Sequence, residues 1–370
     1  MASVTRNLWR YKKLYTFSYP IQGAQSNPSP QSTPVELTKY AQEDVFNRIV
    51  VHVIGQIVVA GSGAGTATGF DNPEGLLTQM ILQTTPQVTG ITPVNRLSGR
   101  GLLYENMIER GYLLKATAVP DAAGTYNVDY HYIINFKRRA RKGIEYDFAI
   151  EKYTSALLTM TFGGRGQLFS GGTNTWNMSA LNVEIYADSN FGIDPSKVSL
   201  HSHELFENTY PITATQTDFP IDTLPAGYLY TDMIFLTEQN NVLSNFDNTV
   251  TTALLVSNFD IEGGGRVWLS SGDNNADMVQ SDWTQELLET GQTLTGIYVP
   301  VSLRRERLYS RTIDALLAPI TLKLTVQGPA AGNTTTVRLV GRRMVPDAVH
   351  QSVAAKARAA GPQATPNAGA

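Results

Sequence analysis

Two histidines and a glutamate form the segment of this chain that is best suited to bind a metal ion. His201, His203 and Glu204 would place two imidazoles on one side of an extended segment, with a carboxylate beside them. No third or fourth ligand lies nearby in the sequence, and a solvated or hydrogen-bonded histidine pair explains the same residues, so we expect no metal site. The remaining histidines, His52, His131 and His350, are scattered along the chain. His52 and His131 fall in predicted strands, where packing is the simpler interpretation.

Two pairs of glutamates could provide the two carboxylates of a glycosidase, if the fold held them about 5–9 Å apart. The pairs are Glu105 with Glu109 and Glu286 with Glu289. Both pairs have the spacing of neighbours on one face of a helix, and both fall in predicted surface helices, where a solvated face is the simpler interpretation. We therefore expect no catalytic residue and no enzymatic activity.

A glycine-rich segment at residues 61–66 could let backbone amides approach a pyrophosphate, as in dinucleotide-binding loops. Thr66 occupies the position of the third required glycine, and the turn signal at residues 70–73 replaces the helix start that such a loop needs. Gly263 to Gly265 fail the same test. The sequence contains no phosphate-binding loop lysine, nucleophile elbow or zinc-protease motif. We expect a plain loop and no cofactor.

Composition excludes further classes of function. The chain has no cysteine, which removes disulfides, thiolate catalysis and cysteine-based metal centres. Charged residues make up 16% of the chain and the net charge is −3, so we expect no sequence-specific nucleic-acid partner.

The first residues lack the apolar run of a secretory signal, and no stretch approaches the roughly 18 apolar residues of a membrane span. The protein is expected to be soluble when made, or to assemble directly.

The first twenty residues are basic and aromatic. Arg6, Arg10, Lys12 and Lys13 have no acidic residue among them and are interleaved with rings such as Trp9. Such a segment can lie at a lipid surface, with its cations at the headgroups and its rings in the interface. It could equally pack against its own domain or a neighbour. The proline-rich residues 22–34 that follow predict an extended linker without ladder pairing.

Two further basic clusters each follow a predicted strand. They consist of Lys137, Arg138, Arg139 and Arg141, and of Arg304, Arg305 and Arg307. Guanidinium groups bind phosphates well, but the clusters could also form salt bridges between subunits or face an anionic interior. Both interpretations stay open.

The remaining pattern is that of β-strands joined by polar loops, with few helices. Strands are predicted at residues 48–59, 76–83, 126–136, 157–162, 181–186, 228–236, 253–261, 266–269, 294–303, 320–326 and 335–340. Helices are predicted at residues 98–111 and 276–291.

The two halves repeat the same order of elements. In each half an aromatic-led strand runs into a basic cluster, and the clusters begin at Lys137 and Arg304, 167 residues apart. That interval is the length of one jelly roll, so we predict an all-β chain of two tandem eight-stranded jelly-roll barrels with short helices in loops. The predicted units are an N-terminal arm and linker at 1–39, a first barrel at 40–190, a second barrel at 191–346 and a flexible C-terminal tail at 347–370.

Several diffuse segments carry a family resemblance. They are Asn72 to Leu82, Leu224 to Tyr230, Val256 to Ile261, Gly263 to Val267, and Leu303 to Arg307 with Ile320 to Leu324. In these segments, which span residues 40–345, the chain resembles the double jelly-roll major capsid proteins of the tectivirus and adenovirus lineage. It is most similar to the tectivirus-type phage version.

The resemblance implies a homotrimer with a pseudo-hexagonal outline, made in the host cytoplasm and tiling an icosahedral virion shell. It further implies contacts with neighbouring trimers and with penton and minor capsid proteins, and an inner viral membrane below the N-terminal arm. Two rival functions remain open at this point. One is a trimeric carbohydrate-binding or receptor-binding β protein, such as a spike, and the other is a jelly-roll glycan hydrolase.

Overall fold

The structure is a computed structural model of the 370-residue chain. It describes residues 8–40, 45–68, 73–86, 91–110, 117–136, 148–191, 203–247, 250–263, 266–269, 276, 295–302 and 313–345. Among these, no helix is both long enough and apolar enough to span a lipid bilayer.

Thirteen described strands and one α-helix lie in the first half of the chain. The strands are β1 (Leu8–Ser18), β2 (Ala24–Gln25), β3 (Gln31–Glu36), β4 (Val45–Ala60), β5 (Thr66–Ala67), β6 (Leu77–Thr85), β7 (Val94–Leu97), β8 (Gly124–Asn135), β9 (Phe148–Ala149), β10 (Ser155–Phe162), β11 (Phe169–Ser170), β12 (Thr175–Asn177) and β13 (Asn182–Phe191). Helix α1 (Gly99–Arg110) lies between β7 and β8, and short 3-10 turns occupy Leu37–Lys39, Pro73–Leu76, Ile150–Lys152 and Arg165–Gln167.

The described strands of the second half continue this numbering. They are β14 (His203–Ile212), β15 (Gln216–Leu224), β16 (Tyr228–Gln239), β17 (Val242–Leu243), β18 (Phe246–Asp247), β19 (Val250–Leu254), β20 (Val256–Gly263), β21 (Arg266–Leu269), β22 (Ile297–Ser302), β23 (Ile313–Ala315), β24 (Ile320–Val326) and β25 (Thr335–Met344).

The first half is a sandwich of two sheets. One sheet has the order β1-β13-β4-β12-β2, with β8 and β9 also paired to β4, and the other runs β7-β6-β10-β3. Alternation sets the inner faces: in β10 every second residue from Ala156 to Phe162 is buried. The core between the sheets is aromatic and aliphatic, and its largest fully buried side chain is Trp176.

The N-terminal residues belong to this sandwich. Strand β1 pairs with β13 from Leu8 to Ser18, and β3 pairs with β10. The prediction that residues 22–34 lack ladder pairing was therefore wrong. Pro34 is tolerated because β3 lies at the edge of its sheet, where a missing N–H costs no ladder bond on the solvent side.

The second half repeats the sandwich. Strands β17-β16-β25-β14, with β22 and β23 paired to β16, face a four-stranded sheet of order β15-β24-β20-β21. In β24 the residues from Ile320 to Val326 alternate between buried and half-buried, so one face supplies Ile320, Leu322 and Leu324 to the second core. Phe235, Phe259 and Tyr298 form an aromatic group inside that core.

Every predicted strand has a described counterpart, and the predicted helix at 98–111 is α1. Of the predicted helix at 276–291, only Ala276 is described; it is helical and buried. The C-terminal tail, and the junction after Phe191, lie outside the described residues. The predicted domain limits stay predictions.

Strand β4 pairs with β8 along one side and changes its partner along the other. It pairs with β13 up to Ile54 and with β12 from Val58 onward. Gly55 stands at this exchange with a φ of +138°, and a Cβ there would come within 2.1 Å of the Ala180 carbonyl oxygen. Both its backbone conformation and the close approach of the neighbouring chain require glycine.

We expect Gly55→Ala to destabilise the protein by about 1–3 kcal/mol from backbone strain, and further because the methyl group must displace the backbone at Ala180. The midpoint of urea unfolding measures the loss. Gly23→Ala is the matched control, since Gly23 also has a positive φ, of +78°, but no atom lies within 4 Å of the place that its Cβ would occupy. Equal losses in the two variants would show that the contact with Ala180 does not matter.

Candidate functional site

The two sandwiches share one sheet. Leu205 and Phe206 of β14 pair in parallel with Val94 and Asn95 of β7, and the Leu205 amide donates a hydrogen bond of 3.0 Å to the carbonyl of Pro93. This pairing joins the strands of both halves into a ten-stranded sheet that runs from β17 to β3. The two sandwiches therefore lie side by side, with strands running alike at their junction.

The second half contributes a sheet that is buried on both faces. Strand β16 is buried from Tyr230 to Gln239. Met233 and Phe235 face the second core, whereas Ile234 and Leu236 pack into the first. A strand buried on both faces must be covered by another layer on each side. The first half provides that layer, and its helix α1 lies against β25.

Charged side chains lie on both faces of this sheet: most are on the face that meets the first half, and the Glu204–Arg343 pair is on the other. We call the set formed by Arg100, Glu105, Glu204, Glu207, Glu238, Arg338, Arg342 and Arg343 the ionic seam. Its four arginines and four glutamates balance in charge. Most are buried, and Glu204, Glu238 and Arg342 are each 1% exposed. Because a buried charge without a partner is costly, such a set constrains how the two halves meet.

One end of the seam centres on Arg338 of β25. Its guanidinium donates to Glu207 and lies 3.4 Å from Glu238 of the neighbouring strand. Glu238 also accepts from Arg100, the second residue of α1. Burial alone would lower the pKa of Arg338, but the charges of Glu207 and Glu238 outweigh that effect and raise the pKa above its usual value.

Helix α1 begins at this end of the seam. Ser98 precedes the helix, and its hydroxyl accepts the Gly101 amide at 2.9 Å, as an N-cap does. The same residue donates its own amide to Glu207 at 2.7 Å. The start of the helix in the first half is thus fixed to a carboxylate of the second half.

The other end of the seam involves Arg342 and Arg343. Arg342 donates to Glu105 of α1 at 2.5 Å and to the carbonyl of Asn135 at 3.0 Å. Arg343 points to the opposite face of β25, where it binds Glu204 at 2.8 Å and lies 4.2 Å from the centre of the Tyr228 ring. Burial alone would lower the pKa of Arg343, but Glu204 raises it.

Several predicted residues fall elsewhere than expected. Glu105 was predicted on a solvated helix face, but it is 2% exposed and paired with Arg342 because α1 lies between the halves. Glu109, the second glutamate of that pair, has only its backbone described. His203 and Glu204 are buried at the start of β14, where successive side chains point to opposite faces. His201, Glu286 and Glu289 lie outside the described residues.

The predicted basic sites are only partly described. Arg6 and both basic clusters lie outside the described residues, and Trp9 and Arg10 are placed only as members of β1. Lys13 pairs with Glu184 at 2.5 Å and lies 5.4 Å from the centre of the Tyr186 ring. Hydrogen bonds from Lys13 and Tyr186 hold the pKa of Glu184 below its usual value.

The glycine-rich loop is fixed by a buried acid. The Gly65 amide donates to Asp121 at 2.7 Å, and Asp121 also accepts from Arg165 at 2.6 Å and from the Trp176 ring nitrogen at 2.8 Å. These bonds explain the loop without a phosphate. Burial alone would raise the pKa of Asp121, but the bonds from Arg165, Gly65 and Trp176 lower it to about 2.

Within the described residues, one group of three side chains could hold a metal ion: His52, Asp129 and His131. Sequence reasoning treated both histidines as packing residues. Their pairing depends on the register of β4 against β8, which the sequence does not show. The seam was also missed, although Arg338 and Arg342 interrupt the apolar pattern of β25 and signal a polar partner on that face.

Comparisons with known proteins give no match to a family model and none to a curated protein. Solved structures do match. The structure of Sulfolobus Turreted Icosahedral Virus aligns over 94% of this chain and 98% of that chain, with 14% identity and a TM-score of 0.60. The major capsid protein P2 of bacteriophage PM2 aligns over 92% and 99%, with 10% identity and a TM-score of 0.52. The PBCV-1 virus capsid aligns over 92% and 95%, with 13% identity and a TM-score of 0.50.

These likenesses extend over nearly the whole of each chain and concern the fold. They agree with the two sandwiches described above, and the predicted double jelly-roll fold is confirmed.

We expect Arg342→Met to destabilise the protein by about 3–5 kcal/mol, because it removes one member of a buried ion pair. Adding Glu105→Leu should recover part of the loss, since the buried carboxylate that Arg342 neutralised is then removed as well. Chemical unfolding followed by tryptophan fluorescence measures both variants. Lys323→Met, which removes a surface ion pair, is the control and should change stability little. A double variant as unstable as Arg342→Met would contradict the role of Glu105.

We expect Asp121→Asn to cost about 3–5 kcal/mol at neutral pH, as when a buried ion pair loses one member. The folded pKa lies below the ordinary value, so the carboxylate stabilises the protein above about pH 4 and loses this effect as the pH falls towards 2. The stability difference between the wild type and the variant should therefore shrink across that window. The exposed Asp314→Asn serves as control, and a difference independent of pH would count against the assignment.

Proposed function

We propose that the protein is a structural major capsid protein that forms homotrimers and, through them, an icosahedral virion shell. One observation carries the proposal: two sandwiches of the same kind stand side by side in one chain, joined by a continuous sheet and a balanced ionic seam. The likeness over nearly full length to the PM2 major capsid protein and the PBCV-1 capsid supports it.

Geometry gives the physical reason for a trimer. Three chains with two similar sandwiches each present six similar flanks around a threefold axis. Such a block fills a hexagonal lattice position with three copies of one chain. Such a trimer requires the two sandwiches of each chain to have the same relative orientation in all three chains. Otherwise the six flanks would not be similar. The shared sheet and the seam supply that rigidity.

The surface fits a protein that works through contacts with neighbours. Thr, Asn, Gln and Ser dominate over charges in this chain, in which only 16% of the residues are charged. Polar contacts between subunits are individually weak, and many of them together stabilise an assembly. The Glu105 carboxylate, considered above for a catalytic pair, is held in the seam by Arg342. The role we propose is structural.

The basic residues complete the proposal. We assign Arg6 and Arg10, before and within β1, and the two basic clusters to the side of the shell that faces the interior or to contacts between subunits. An inner membrane below the shell would meet the segment before Leu8, since the ladder between β1 and β13 holds Leu8 to Ser18 on the first sandwich. Penton and minor capsid proteins are the further partners that we propose for such a shell.

We expect the purified full-length protein to sediment as a trimer of about 120 kDa, three times the 40.5 kDa of one chain, and to show hexagonal outlines in negative-stain microscopy. The measurement is sedimentation velocity followed by imaging of the same fractions. A stable monomer without such outlines would refute the proposal. A trimer that never tiles but melts at higher temperature with an oligosaccharide would point instead to a receptor-binding protein.

A further inference from the structure

A row of polar side chains crosses three strands on the outer face of the first sandwich. Strand β4 lies between β13 and β8, and His52 stands directly opposite Glu184 on one side and His131 on the other. Asp129 lies two residues before His131 and therefore shares its face. The opposite face of the same three strands turns apolar side chains towards the core.

The four side chains lie close enough to act together. The rings of His52 and His131 are stacked, with centroids 4.1 Å apart and planes 6° from parallel. The Nε2 atom of His52 lies 2.8 Å from the Asp129 carboxylate, and its Nδ1 atom lies 3.6 Å from Glu184. One candidate ligand atom from each of His52, Asp129 and His131 lies within 4.8 Å of the others.

These donors suit a particular class of cation. Two imidazole nitrogens and one carboxylate oxygen form a set that zinc and similar divalent transition ions prefer, whereas calcium and magnesium prefer oxygen ligands. Three protein ligands leave a fourth position of a tetrahedral ion for water. Lys13 pairs with Glu184, which faces the ring nitrogen of His52 opposite to the one that faces Asp129.

Small movements complete the geometry. Ligand atoms around a tetrahedral zinc ion stand roughly 3.3 Å apart, so Asp129 and the His52 Nε2 atom must separate by about 0.5 Å. The ion would replace the proton that now joins these two atoms. His131 must turn its ring out of the stack to point a nitrogen at the ion. Asp129 and His131 are both exposed, and the space for these adjustments is solvent.

Glu184 supports the row from its other side. In metal sites the second nitrogen of a ligating histidine commonly faces a carboxylate, which orients the ring and increases its basicity. Glu184 faces the Nδ1 atom of His52 in this way, and it is itself fixed by Lys13 at 2.5 Å and by the Tyr186 hydroxyl at 2.6 Å. His52 is nearly buried, so its ring is held while the two exposed ligands move.

We propose that His52, His131 and Asp129 bind a divalent transition metal ion of the zinc class, with Glu184 as a positioning residue. The ion ties β4 to β8 across the outer face of the first sandwich. This site is independent of the proposed shell function, since it uses no residue of the seam.

The test is titration of the full-length protein, freed of metal with a chelator, with ZnCl2 in a calorimeter. We expect one site per chain, and a higher melting temperature with ZnCl2 than without. Glu184→Gln should weaken binding by roughly 10–100-fold, as outer-shell changes do, and His131→Gln should weaken it more. CoCl2 should give the visible absorption of a tetrahedral cobalt site in the wild type and not in His131→Gln.

Two variants keep the test independent of folding. His131→Gln and Asp129→Asn alter exposed side chains, so both should fold like the wild type and yet lose the effect of ZnCl2 on melting. Asp314→Asn removes an exposed carboxylate outside the row and should leave zinc binding unchanged. Zinc binding that survives in His131→Gln and Asp129→Asn, or CaCl2 binding as tight as ZnCl2 binding, would overturn the proposal.

Discussion

The structure depends on a sheet that is covered on both faces. Strand β16 and its neighbours in the second half give one face to their own core and the other to the first half, and this second face carries charges as well as apolar side chains. A buried arginine is tolerable only where a carboxylate meets it. In the observed arrangement Arg342 reaches Glu105 and Arg338 reaches Glu207. We infer that these pairs favour this arrangement of the halves over others that would separate the charges.

Local pattern was sufficient for the elements and for the class of fold. Alternation in β10, β24 and β25, and the capped helix at α1, are properties of short segments, and each was predicted close to its observed bounds. Proline restricts pairing less than the pattern indicated: β3 contains Pro34 and still pairs with β10 on one side. The repeat of similar elements indicated two sandwiches, because each half must bury a core of its own.

Partners across long separations could not be predicted from the sequence. Glu105 looks like a solvated helix residue until α1 is known to face Arg342, 237 residues later in the chain. His52 and His131 look like packing residues until the register of β4 and β8 sets them opposite each other. In both cases the chemistry of a side chain is fixed by strand order and register, which depend on the whole fold.

The junction between β7 and β14 also has a consequence for synthesis of the chain. All strands of the first sandwich precede β14, so that half can close while the second is still being made. Until β14 arrives, however, β7 is an open strand edge with unpaired backbone groups, the kind of edge that attracts other nascent chains. Translation that continues promptly past residue 212 protects this edge by covering it from within the same molecule.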